Sequence, residues 1–490
     1  MSWLELLWQA SLTIAVLIST AVTIFLITLP KQFSHFRPGL VKDQNFDDED
    51  KADPERSGYS YFTTHKDEDG TFQTDCSVQV IVLGDIGRSP RMQYHALSIA
   101  AHGGRVDIVG YEESELHPDV VASRFINVVP IAPYPDRLRT TSKASFPLIA
   151  PLKVLWQVWS LYHALGYRSR ASKWMLVQNP PSIPTLIVAQ FVCFFRNTKL
   201  VVDWHNFGYS ILALRLGSNH RLVSLSEWYE GYFGRAAVAH FAVTDAMVKV
   251  LKQKWNISAK ALHDRPPRQF QPLTNIQRSA LLSRLDETAQ HARDLEVGKW
   301  RLLVSSTSWT SDEDFSLLLD ALVGYSNAVE LDRQLPRILA IITGKGPEKA
   351  WYLERIRVLK KEKKLRHVII TTAWLSIEDY ALLLGSADLG VSLHTSSSGV
   401  DLPMKVVDMF GTGLPVVGWS KFEAWPELVK ESVNGCGFES ADGLADLLIN
   451  LFSNQAQKLQ KLKVGALKEC ERRWDDDWMP VAGQLFGVKP

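Results

Sequence analysis

Short apolar runs alternate, along most of this chain, with stretches whose apolar residues recur at the spacing of an α-helix. Runs such as Val78–Leu83, VQVIVL, lack the polar alternation of a half-exposed strand, which is typical of parallel strands buried on both faces. Helical stretches separate each run from the next, and this succession predicts an α/β fold with two doubly wound units. The predicted strands are Val78–Leu83, Val106–Val109, Phe125–Val129, Trp174–Val177, Leu200–Val202, Phe241–Val243, Arg301–Ser306, Ile338–Thr343, Val368–Thr371, Leu389–Leu393 and one that begins at Leu414–Val417.

The N-terminal stretch has a different pattern. Ala10–Leu29 contains no charged residue, and a helix of this length spans the roughly 30 Å of a bilayer core. A cleaved signal peptide would need a basic start and a shorter apolar core, whereas the start here carries Glu5. Basic residues follow the run, so the positive-inside rule predicts an uncleaved signal anchor with the bulk of the chain in the cytosol. These basic residues are Lys31, Arg37 and Lys42.

A second apolar stretch, Phe146–Leu165, is interrupted by Pro147 and Pro151 and has one formal charge, Lys153. The prolines argue against a membrane-spanning helix. Two interpretations remain open: a buried helix of the first unit, and an apolar helix lying at the face of a bilayer. The second is favoured because the predicted anchor already holds this part of the chain at a membrane.

Composition and charge exclude several function classes. The chain is 46% hydrophobic and 22% charged, an ordinary globular balance, and its net charge of +1 gives no support for a nucleic-acid partner. The cysteines have no metal-binding spacing and imply no framework of disulfides, which suits a reducing compartment. They are Cys76, Cys193, Cys436 and Cys470.

Chemistry is concentrated in His394–Gly418, HTSSSGVDLPMKVVDMFGTGLPVVG. A loop rich in hydroxyl groups follows a predicted strand, and Pro403 opens a helix that carries Lys405 and Asp408 one turn apart. The N–H groups and dipole of a helix N-terminus favour a phosphate, and Lys405 adds a point charge. Asp408 suits hydrogen bonds from a ribose or sugar hydroxyl. The residues alone leave open an ordinary strand–helix turn with charges facing water.

The string PMKVVDMF at Pro403–Phe410, followed by GLPV, resembles the donor-nucleotide motif of GT-B glycosyltransferases. The fuller string SSSGVDLPMKVVDMFG is similar to the chitobiosyldiphosphodolichol beta-mannosyltransferase family. So are GDIGRSPR at Gly84–Arg91 and VDWHN at Val202–Asn206, and the resemblance runs from about Val78 to about Trp474. It implies a GT-B fold, in which two Rossmann-like doubly wound domains face a cleft, here with an N-terminal transmembrane helix in front.

The resemblance implies an inverting mannosyltransferase. The donor would be GDP-mannose and the acceptor chitobiosyl diphosphodolichol at the cytosolic face of the endoplasmic reticulum membrane, with a beta-1,4 linkage to the first mannose as product. No tightly bound cofactor and no metal ligand is implied, and magnesium is an option that the motifs do not require. Other dolichol-pathway mannosyltransferases are candidate partners. A GT-B enzyme with another nucleotide sugar, or a non-catalytic scaffold of the same pathway, remains the alternative.

The predicted organisation follows from these assignments. Acidic runs at Asp47–Asp50 and Asp67–Asp69 lie in a segment without core-forming residues, so we interpret them as a solvated tether and not as a metal site. The segments are a short lumenal end at 1–9, the transmembrane signal anchor at 10–29, the acidic tether at 30–75, an N-terminal acceptor domain at 76–265, a connection at 266–299, a C-terminal nucleotide-sugar domain at 300–465, and a C-terminal helix and tail at 466–490.

Site residues follow from motif positions. The Gly344–Pro347 loop, directly after a predicted strand, matches a Gly-x-Gly-Pro loop of GT-B enzymes. Predicted donor-binding residues are Gly344, Lys345, Gly346, His394, Ser396, Ser397, Ser398, Asp401, Lys405 and Asp408. Candidates for the catalytic base are Asp85 and His205, for which a turn cap and a loop hydrogen bond are the structural alternatives. Predicted acceptor-binding residues are Gly84, Gly87, Arg88 and Arg91, the arginines gripping phosphate oxygens.

Three departures accompany the resemblance. The Ser305–Trp309 segment has no basic residue where many relatives carry an Arg and a Lys that clamp the diphosphate. Asp408 matches the second of the paired glutamates of retaining relatives, but Val400 occupies the position of the first, which leaves the sugar contact of Asp401 open. The formal Asp-x-Asp at Asp312–Asp314 is interpreted as a helix cap formed with Ser311, and not as a metal triad.

Overall fold

The computed structural model describes residues 3–33, 64–66, 72–74, 76–135, 146–310, 313–453 and 456–488. The acidic runs of the predicted tether, with Arg37 and Lys42, lie outside the described residues. The chain divides into two compact units. The first comprises Met1–Val202, Tyr232–Ala239 and Phe486–Pro490, and the second comprises Asp203–Gly231 and His240–Leu485.

The first helix, α1 (Trp3–Ile27), contains most of the predicted apolar run, and most of its described side chains are exposed. The chain leaving α1 is fixed to the first unit, because Tyr167 Oη donates to Thr28 O at 2.6 Å and Arg196 Nε donates to Lys31 O at 3.1 Å. None of the helices in the described ranges combines the length and the apolar character needed to cross a bilayer.

A short antiparallel hairpin, β1 (Thr64–Lys66) and β2 (Phe72–Thr74), precedes a seven-stranded sheet of order β5-β4-β3-β6-β7-β8-β9. Strand β3 pairs in parallel with β4 and β6, and its first seven residues are buried on both faces, as the apolar run predicts. The strands are β3 (Ser77–Asp85), β4 (Arg105–Tyr111), β5 (Ile126–Pro130), β6 (Trp174–Asn179), β7 (Lys199–Trp204), β8 (Ala239–Ala242) and β9 (Lys260–Ala261).

Helices alternate with these strands, as expected for a doubly wound sheet. They are α2 (Pro90–Ala101), α3 (Pro118–Ala122), α4 (Phe146–His163), α5 (Thr185–Arg196), α6 (Gly208–Leu216), α7 (Arg221–Gly234) and α8 (Asp245–Trp255). The predicted apolar stretch at Phe146–Leu165 forms α4 and the turn after it. Leu161 and Leu165 are buried, as a helix of the first unit requires, whereas Leu152, Leu155 and Trp159 are exposed, and their position at a bilayer face stays a prediction.

The predicted connection at residues 266–299 contains three helices, α9 (Asn275–Arg284), α10 (Asp286–Ala289) and α11 (Ala292–Glu296). Thr274 caps α9 together with Gln277 in a reciprocal capping box. Arg278 Nε donates to Ser386 O at 2.9 Å, and the Arg278 guanidinium lies 3.8 Å from the Asp388 carboxylate. This segment is therefore packed into the second unit.

The second sheet has six strands in the order β12-β11-β10-β13-β14-β15, and all its pairs are parallel. The predicted strands of this unit are confirmed, and β15 is an addition. The strands are β10 (Trp300–Ser306), β11 (Arg337–Thr343), β12 (Val368–Ala373), β13 (Leu389–Ser392), β14 (Val416–Trp419) and β15 (Gly435–Phe438). The helices are α12 (Phe315–Leu331), α13 (Lys349–Lys361), α14 (Ile377–Ser386), α15 (Met404–Gly411), α16 (Trp425–Leu428), α17 (Ala441–Phe452), α18 (Gln457–Glu469), α19 (Trp474–Trp478) and α20 (Gln484–Phe486).

An aromatic cluster anchors the loop after β10. Trp309 is fully buried, its ring centroid lies 4.8 Å from that of Phe315, and its indole Nε1 donates to Gly344 O at 3.3 Å. Aromatic side chains of this size contribute large buried areas, and an indole N–H needs a partner when it is buried. Trp309 therefore fixes the polar residues just before it at the carboxyl end of the sheet.

Candidate active site

The loops that follow β10 and β11 touch through two glycines. A Cβ atom placed on Gly344 would lie 1.8 Å from Thr307 O, and one placed on Gly346 would lie 1.8 Å from Ser308 O. Gly344 also has a φ of +121°, which a residue with a side chain rarely adopts. The sequence predicted that these glycines let the backbone approach a ligand. In the structure they let it approach the neighbouring Thr307–Ser308 backbone, and their donor contacts stay a prediction.

Lys405, in the first turn of α15, reaches the loop after β10. Its Nζ donates to Ser308 Oγ at 3.1 Å and forms an ion pair with Glu313. The Lys405 side chain retains 31% exposure, so its ammonium can meet a ligand while Glu313 holds it. The segment Ser305–Trp309, which has no basic residue of its own, thus receives a positive charge from α15.

Glu313 is the site residue that the sequence analysis missed. Its carboxylate is almost completely buried and accepts hydrogen bonds from Thr307 Oγ1 at 2.8 Å and from Ser308 N. A buried carboxylate is stable only when it is paired and hydrogen-bonded, and Lys405 supplies the pairing charge. The signal was present in the acidic run Asp312–Asp314 that follows β10 in the sequence, but that run was interpreted only as a helix cap.

The helix-cap interpretation itself is partly right. Asp314 is the N-cap of α12, and its Oδ1 accepts from Ser316 N at 2.9 Å. The prediction that Ser311 caps this helix is wrong, because α12 begins at Phe315, one residue after Asp314. Ser311 and Asp312 lie outside the described residues.

Asp401 organises the hydroxyl-rich loop after β13. It is almost completely buried and accepts hydrogen bonds from Ser396 Oγ, from Ser398 Oγ at 3.0 Å and from His394 Nε2 at 3.0 Å. Burial acts to raise the pKa of Asp401, but His394 and the two serine hydroxyls outweigh it and hold the pKa below its ordinary value. The geometry gives Asp401 a structural task in this loop, and its sugar contact stays a prediction.

The same loop contacts the residues that follow β7. Ser397 Oγ accepts from Asn206 Nδ2 at 3.1 Å and lies 3.2 Å from Ser210 Oγ. Asn206 is next in sequence to His205, so the structure brings a candidate base to the predicted donor loop. His205 Nε2 lies 2.9 Å from a carboxylate oxygen of Asp203, whose side chain is fully buried. A buried carboxylate that holds one imidazole nitrogen leaves the other nitrogen available to take a proton.

Lys345 is exposed, and its Nζ lies 3.9 Å from the ring centroid of Trp374. A lysine ammonium is attracted to the face of an indole ring, so this contact orients the side chain at the end of β11. Its contact with a donor phosphate stays a prediction.

Asp408 lies one turn after Lys405 on α15 and is only partly exposed. Burial, followed by repulsion from the Asp264 carboxylate, raises the pKa of Asp408 to about 8. The neighbouring Tyr380 hydroxyl lies 2.8 Å from Ser306 Oγ, and burial followed by the charge of Asp408 raises the pKa of Tyr380 as well. A raised pKa favours the protonated form of Asp408, which can donate as well as accept a hydrogen bond.

The raised pKa of Asp408 predicts a pH-dependent stability. An acid that binds its proton more tightly when folded loses stability as pH rises from its unfolded pKa, 3.8, to its folded pKa, about 8. We expect Asp408→Asn to remove this loss. The difference between the thermal midpoint of the variant and that of the parent should therefore become more positive as pH rises. The partial exposure of Asp408 limits the gain to about 1–3 kcal/mol. The exposed Asp446→Asn is the control, and parallel pH profiles for Asp408→Asn and the parent would contradict the expectation.

In the first unit, Asp85 has the capping role that was the alternative to catalysis. Its Oδ1 accepts from Gly87 N at 3.2 Å, Glu113 N at 3.2 Å and Ser114 N at 3.1 Å. Burial acts to raise the pKa of Asp85, but the hydrogen bonds from Ser114, Glu113 and Gly87 outweigh it, so the pKa lies below its ordinary value. Such a carboxylate is a weak base, and a catalytic role for Asp85 stays untested.

The predicted acceptor-binding residues differ in accessibility. Arg88 lies 3.3 Å from Asp85 with its side chain 79% exposed, whereas Arg91 is buried in α2. A Cβ on Gly87 would lie 2.6 Å from Glu115 O, so this glycine is required by the neighbouring backbone. Gly84 has space around it, since the nearest atom to a Cβ placed there is 3.8 Å away. Their contacts with an acceptor stay predictions.

Within the described ranges, Asp245, His263 and Glu427 form the one group with the spacing of metal ligands. Glu427 accepts from Asp245 N at 2.7 Å, Ala246 N at 2.7 Å and His263 Nε2 at 3.0 Å. The carboxylate therefore caps the N-terminus of α8, where a negative charge is favourable. This cluster is explained as a cap without an ion.

Comparisons with known proteins agree with the two-sheet fold described above. A family model described as Glycosyl transferases group 1 matches residues 303–454. Two solved structures share the fold: the Anabaena protein HepE in complex with UDP and glucose (TM-score 0.57, 15% identity, 84% of this chain and 99% of that one) and sucrose-phosphate synthase from Thermosynechococcus elongatus (TM-score 0.61, 13% identity, 84% and 98%). At these identities the likeness shows the fold alone.

Curated relatives are much closer in sequence. The chain is 53% identical over 418 residues to chitobiosyldiphosphodolichol beta-mannosyltransferase of Arthroderma benhamiae, covering 84% of this chain and 91% of that protein. It is 40% identical over 430 residues to the human protein of the same name (82% and 90%), and 43% identical over 453 residues to UDP-glycosyltransferase TURAN of Arabidopsis thaliana (83% and 96%). The chain therefore belongs to the chitobiosyldiphosphodolichol beta-mannosyltransferase family and is a glycosyltransferase with the GT-B fold.

Proposed function

We propose that this protein transfers mannose from GDP-mannose to chitobiosyl diphosphodolichol, inverting the anomeric centre and forming a beta-1,4 linkage. The observation that carries the proposal is the position of Lys405, which Glu313 and Ser308 hold beside the N-terminus of α15, in a chain of this family. A lysine and a helix N-terminus together stabilise the negative charge that develops on a departing nucleoside diphosphate.

The reaction needs a base for the acceptor hydroxyl, and His205 is the better supported candidate. Its pairing with Asp203 orients the imidazole, and Asn206 ties the same loop to Ser397 of the donor loop. In an inverting displacement the base acts while the carbon–oxygen bond of the donor sugar breaks, so it must lie near the donor. Asp85 is the second candidate, with the capping contacts described above.

The location follows from the acceptor. A dolichol-linked substrate lies in a membrane, and we propose the cytosolic face of the endoplasmic reticulum membrane, with the sequence run Ala10–Leu29 as an uncleaved signal anchor. The sequence supports this topology through the uncharged run Ala10–Leu29 and the basic residues after it. Other dolichol-pathway mannosyltransferases remain candidate partners, and no cation is assigned to the site.

Transfer assays with the full chain in vesicles test the proposal. With a chitobiosyl diphospho-lipid as acceptor, we expect radiolabelled mannose to move from GDP-mannose to the lipid phase. Free GDP is expected to compete with the donor, whereas UDP at the same concentration does not. Absence of transfer by a chain that still binds GDP would contradict the assigned acceptor.

A second candidate function is transfer from a UDP-sugar. One observation favours it: the Arabidopsis relative is named a UDP-glycosyltransferase at 43% identity. Lys405 and the N-terminus of α15 meet phosphates, which the two donors share. Competition by UDP and not by GDP, with transfer from UDP-glucose or UDP-N-acetylglucosamine, would favour this second candidate over the first.

A further inference from the structure

Helices α4 and α5 of the first unit each carry a stripe of exposed apolar side chains. The spacing of three or four residues within each stripe places its members on one face of the helix. Phe194 is 81% exposed and Leu155 is 63% exposed, so each stripe presents large apolar side chains at the surface of the first unit. The members are Leu152, Leu155 and Trp159 of α4, and Ile187, Phe191 and Phe194 of α5.

Aromatic contacts join the two stripes into one surface, which we call the α4–α5 face. The Tyr162 ring lies 5.9 Å from the Phe191 ring across the two helices and 6.4 Å from the Trp159 ring on its own helix. Tyr162 Oη also lies 3.1 Å from Tyr167 Oη. The face is therefore a continuous apolar and aromatic surface and not a set of scattered side chains.

The α4–α5 face adjoins the C-terminal end of α1. Tyr167 Oη donates to Thr28 O at 2.6 Å, directly after the last turn of α1. The buried Arg196 donates to Lys31 O at 3.1 Å, to Ser169 O at 3.1 Å and to Leu165 O, so three backbone carbonyls are held by one guanidinium. Apolar α1 and the α4–α5 face thus share one rigid junction.

The segment that builds this face has an extreme charge composition. The 66 residues from Arg137 to Val202 contain no Asp and no Glu, although the whole chain has 53 acidic residues and a net charge of only +1. Some of its basic residues are already engaged, since Arg196 holds the junction, Arg170 pairs with Asp107 of β4 at 2.6 Å, and Arg168 donates to Pro130 O at 2.6 Å. The segment still keeps an excess of positive charge. Its basic residues are Arg137, Arg139, Lys143, Lys153, Arg168, Arg170, Lys173, Arg196 and Lys199.

We propose that the α4–α5 face lies on the surface of an anionic phospholipid bilayer, with its aromatic rings at the level of the lipid headgroups. Tryptophan and tyrosine favour this interface, phenylalanine and leucine side chains enter the acyl boundary, and basic residues in a segment without acids are attracted to anionic lipids. A bilayer is favoured over a protein partner because the face adjoins apolar α1 and because its segment carries basic residues without acids, which the negative surface of a membrane complements.

Contact of this face with a bilayer adds a membrane-binding step to the proposed function. The inference rests on that function only for the identity of the acceptor. A dolichol-linked substrate presents its diphosphate at the headgroup level. A first unit that lies flat on the bilayer would meet that diphosphate without extracting the lipid. The face would then hold the first unit at the membrane independently of the proposed signal anchor.

Site-directed spin labelling of the full chain in vesicles tests the inference. The four native cysteines are buried, so a new surface cysteine can be labelled selectively. A nitroxide at Phe194→Cys or Leu155→Cys reports collisions with oxygen, which concentrates in the bilayer, and with a water-soluble nickel chelate. The control is Val121→Cys on α3, which is 70% exposed in the same unit and outside the face.

In vesicles of phosphatidylcholine and phosphatidylserine, we expect the oxygen-to-nickel collision ratio at positions 155 and 194 to exceed that at 121 several-fold. Raising the phosphatidylserine fraction is expected to increase it further. Ratios at 155 and 194 that equal the ratio at 121 would overturn the inference. If both labels were immobilised but still in contact with water, the face would contact a protein or a second copy of this chain, which also overturns it.

The readout does not depend on sugar transfer. A chain whose labels lie in the bilayer but which transfers no mannose would refute the proposed function and keep this inference. Retention of the parent thermal midpoint by each labelled variant shows that the substitution has not unfolded the first unit.

Discussion

Lys405→Met is expected to lower kcat for mannosyl transfer by about 10²- to 10³-fold, the usual loss when one preorganised donor to a developing negative charge is removed. Lys405 is the ammonium that Glu313 fixes at Ser308 beside the N-terminus of α15. Binding of the nucleoside diphosphate should weaken as well, because the same charge meets the ground-state phosphates. Steady-state kinetics with GDP-mannose measure both effects.

The substitution also leaves the buried Glu313 carboxylate without its counter-ion, which by itself destabilises the fold. Combining Lys405→Met with Glu313→Gln separates the two effects. The double variant should recover most of the lost thermal stability, since the amide oxygen that replaces the carboxylate can still accept from Thr307 and Ser308, while transfer stays low. Recovery of transfer with stability would assign Lys405 a structural role only.

Lys421→Met is the matched control for this series. Its ammonium lies 3.3 Å from Glu439 in the same unit, and both side chains are at least half exposed. Exposed pairs of this kind contribute little. We therefore expect Lys421→Met to keep parent activity. A comparable loss of activity in Lys421→Met would show that the effect of Lys405→Met is not specific to the candidate site.

His205→Ala is expected to lower kcat by about 10²- to 10⁴-fold, the range for loss of a positioned general base. The loss should appear in kcat more than in the KM for GDP-mannose, because the imidazole acts on the acceptor proton and not on the nucleotide. Initial rates measured over a range of GDP-mannose concentrations separate kcat from KM and test this.

Asp203→Asn tests the orientation of His205 without removing the imidazole. The charge-assisted contact at 2.9 Å is replaced by a neutral one, which costs about 1.5–3 kcal/mol, or about 10- to 100-fold in rate. The exposed His220→Gln serves as the control. Full activity in both His205→Ala and Asp203→Asn would contradict the assignment of His205 as the base and would favour Asp85 in that role.

Much of the fold was predictable because strands buried on both faces leave mainly apolar runs without polar alternation. The runs at Val78–Leu83 and Ile338–Thr343 predicted β3 and β11 for this reason. Strand β15, GCGF, escaped prediction because two of its four residues are glycine and it has no apolar run. The helices of residues 266–299 escaped because prolines and polar residues precede them and their apolar stripes are short.

The candidate site was predictable only where its residues are close in sequence. Lys405 and Asp408 share a turn of α15, so local spacing places them together. The contacts of Glu313 with Lys405 and of Asn206 with Ser397 join residues 92 and 191 positions apart, which no local pattern reports. Asp85 shows the opposite case, since its local turn offered a cap and the structure shows that cap.

The most direct test of the account is the anomeric configuration of the sugar that the full chain transfers from GDP-mannose to a chitobiosyl diphospho-lipid in vesicles. We expect a single beta-linked mannose, released by a beta-mannosidase and not by an alpha-mannosidase, and formed about 10²- to 10³-fold more slowly by Lys405→Met. An alpha-linked mannose would contradict the inverting mechanism, and transfer of another sugar from a UDP donor would contradict the assigned substrate.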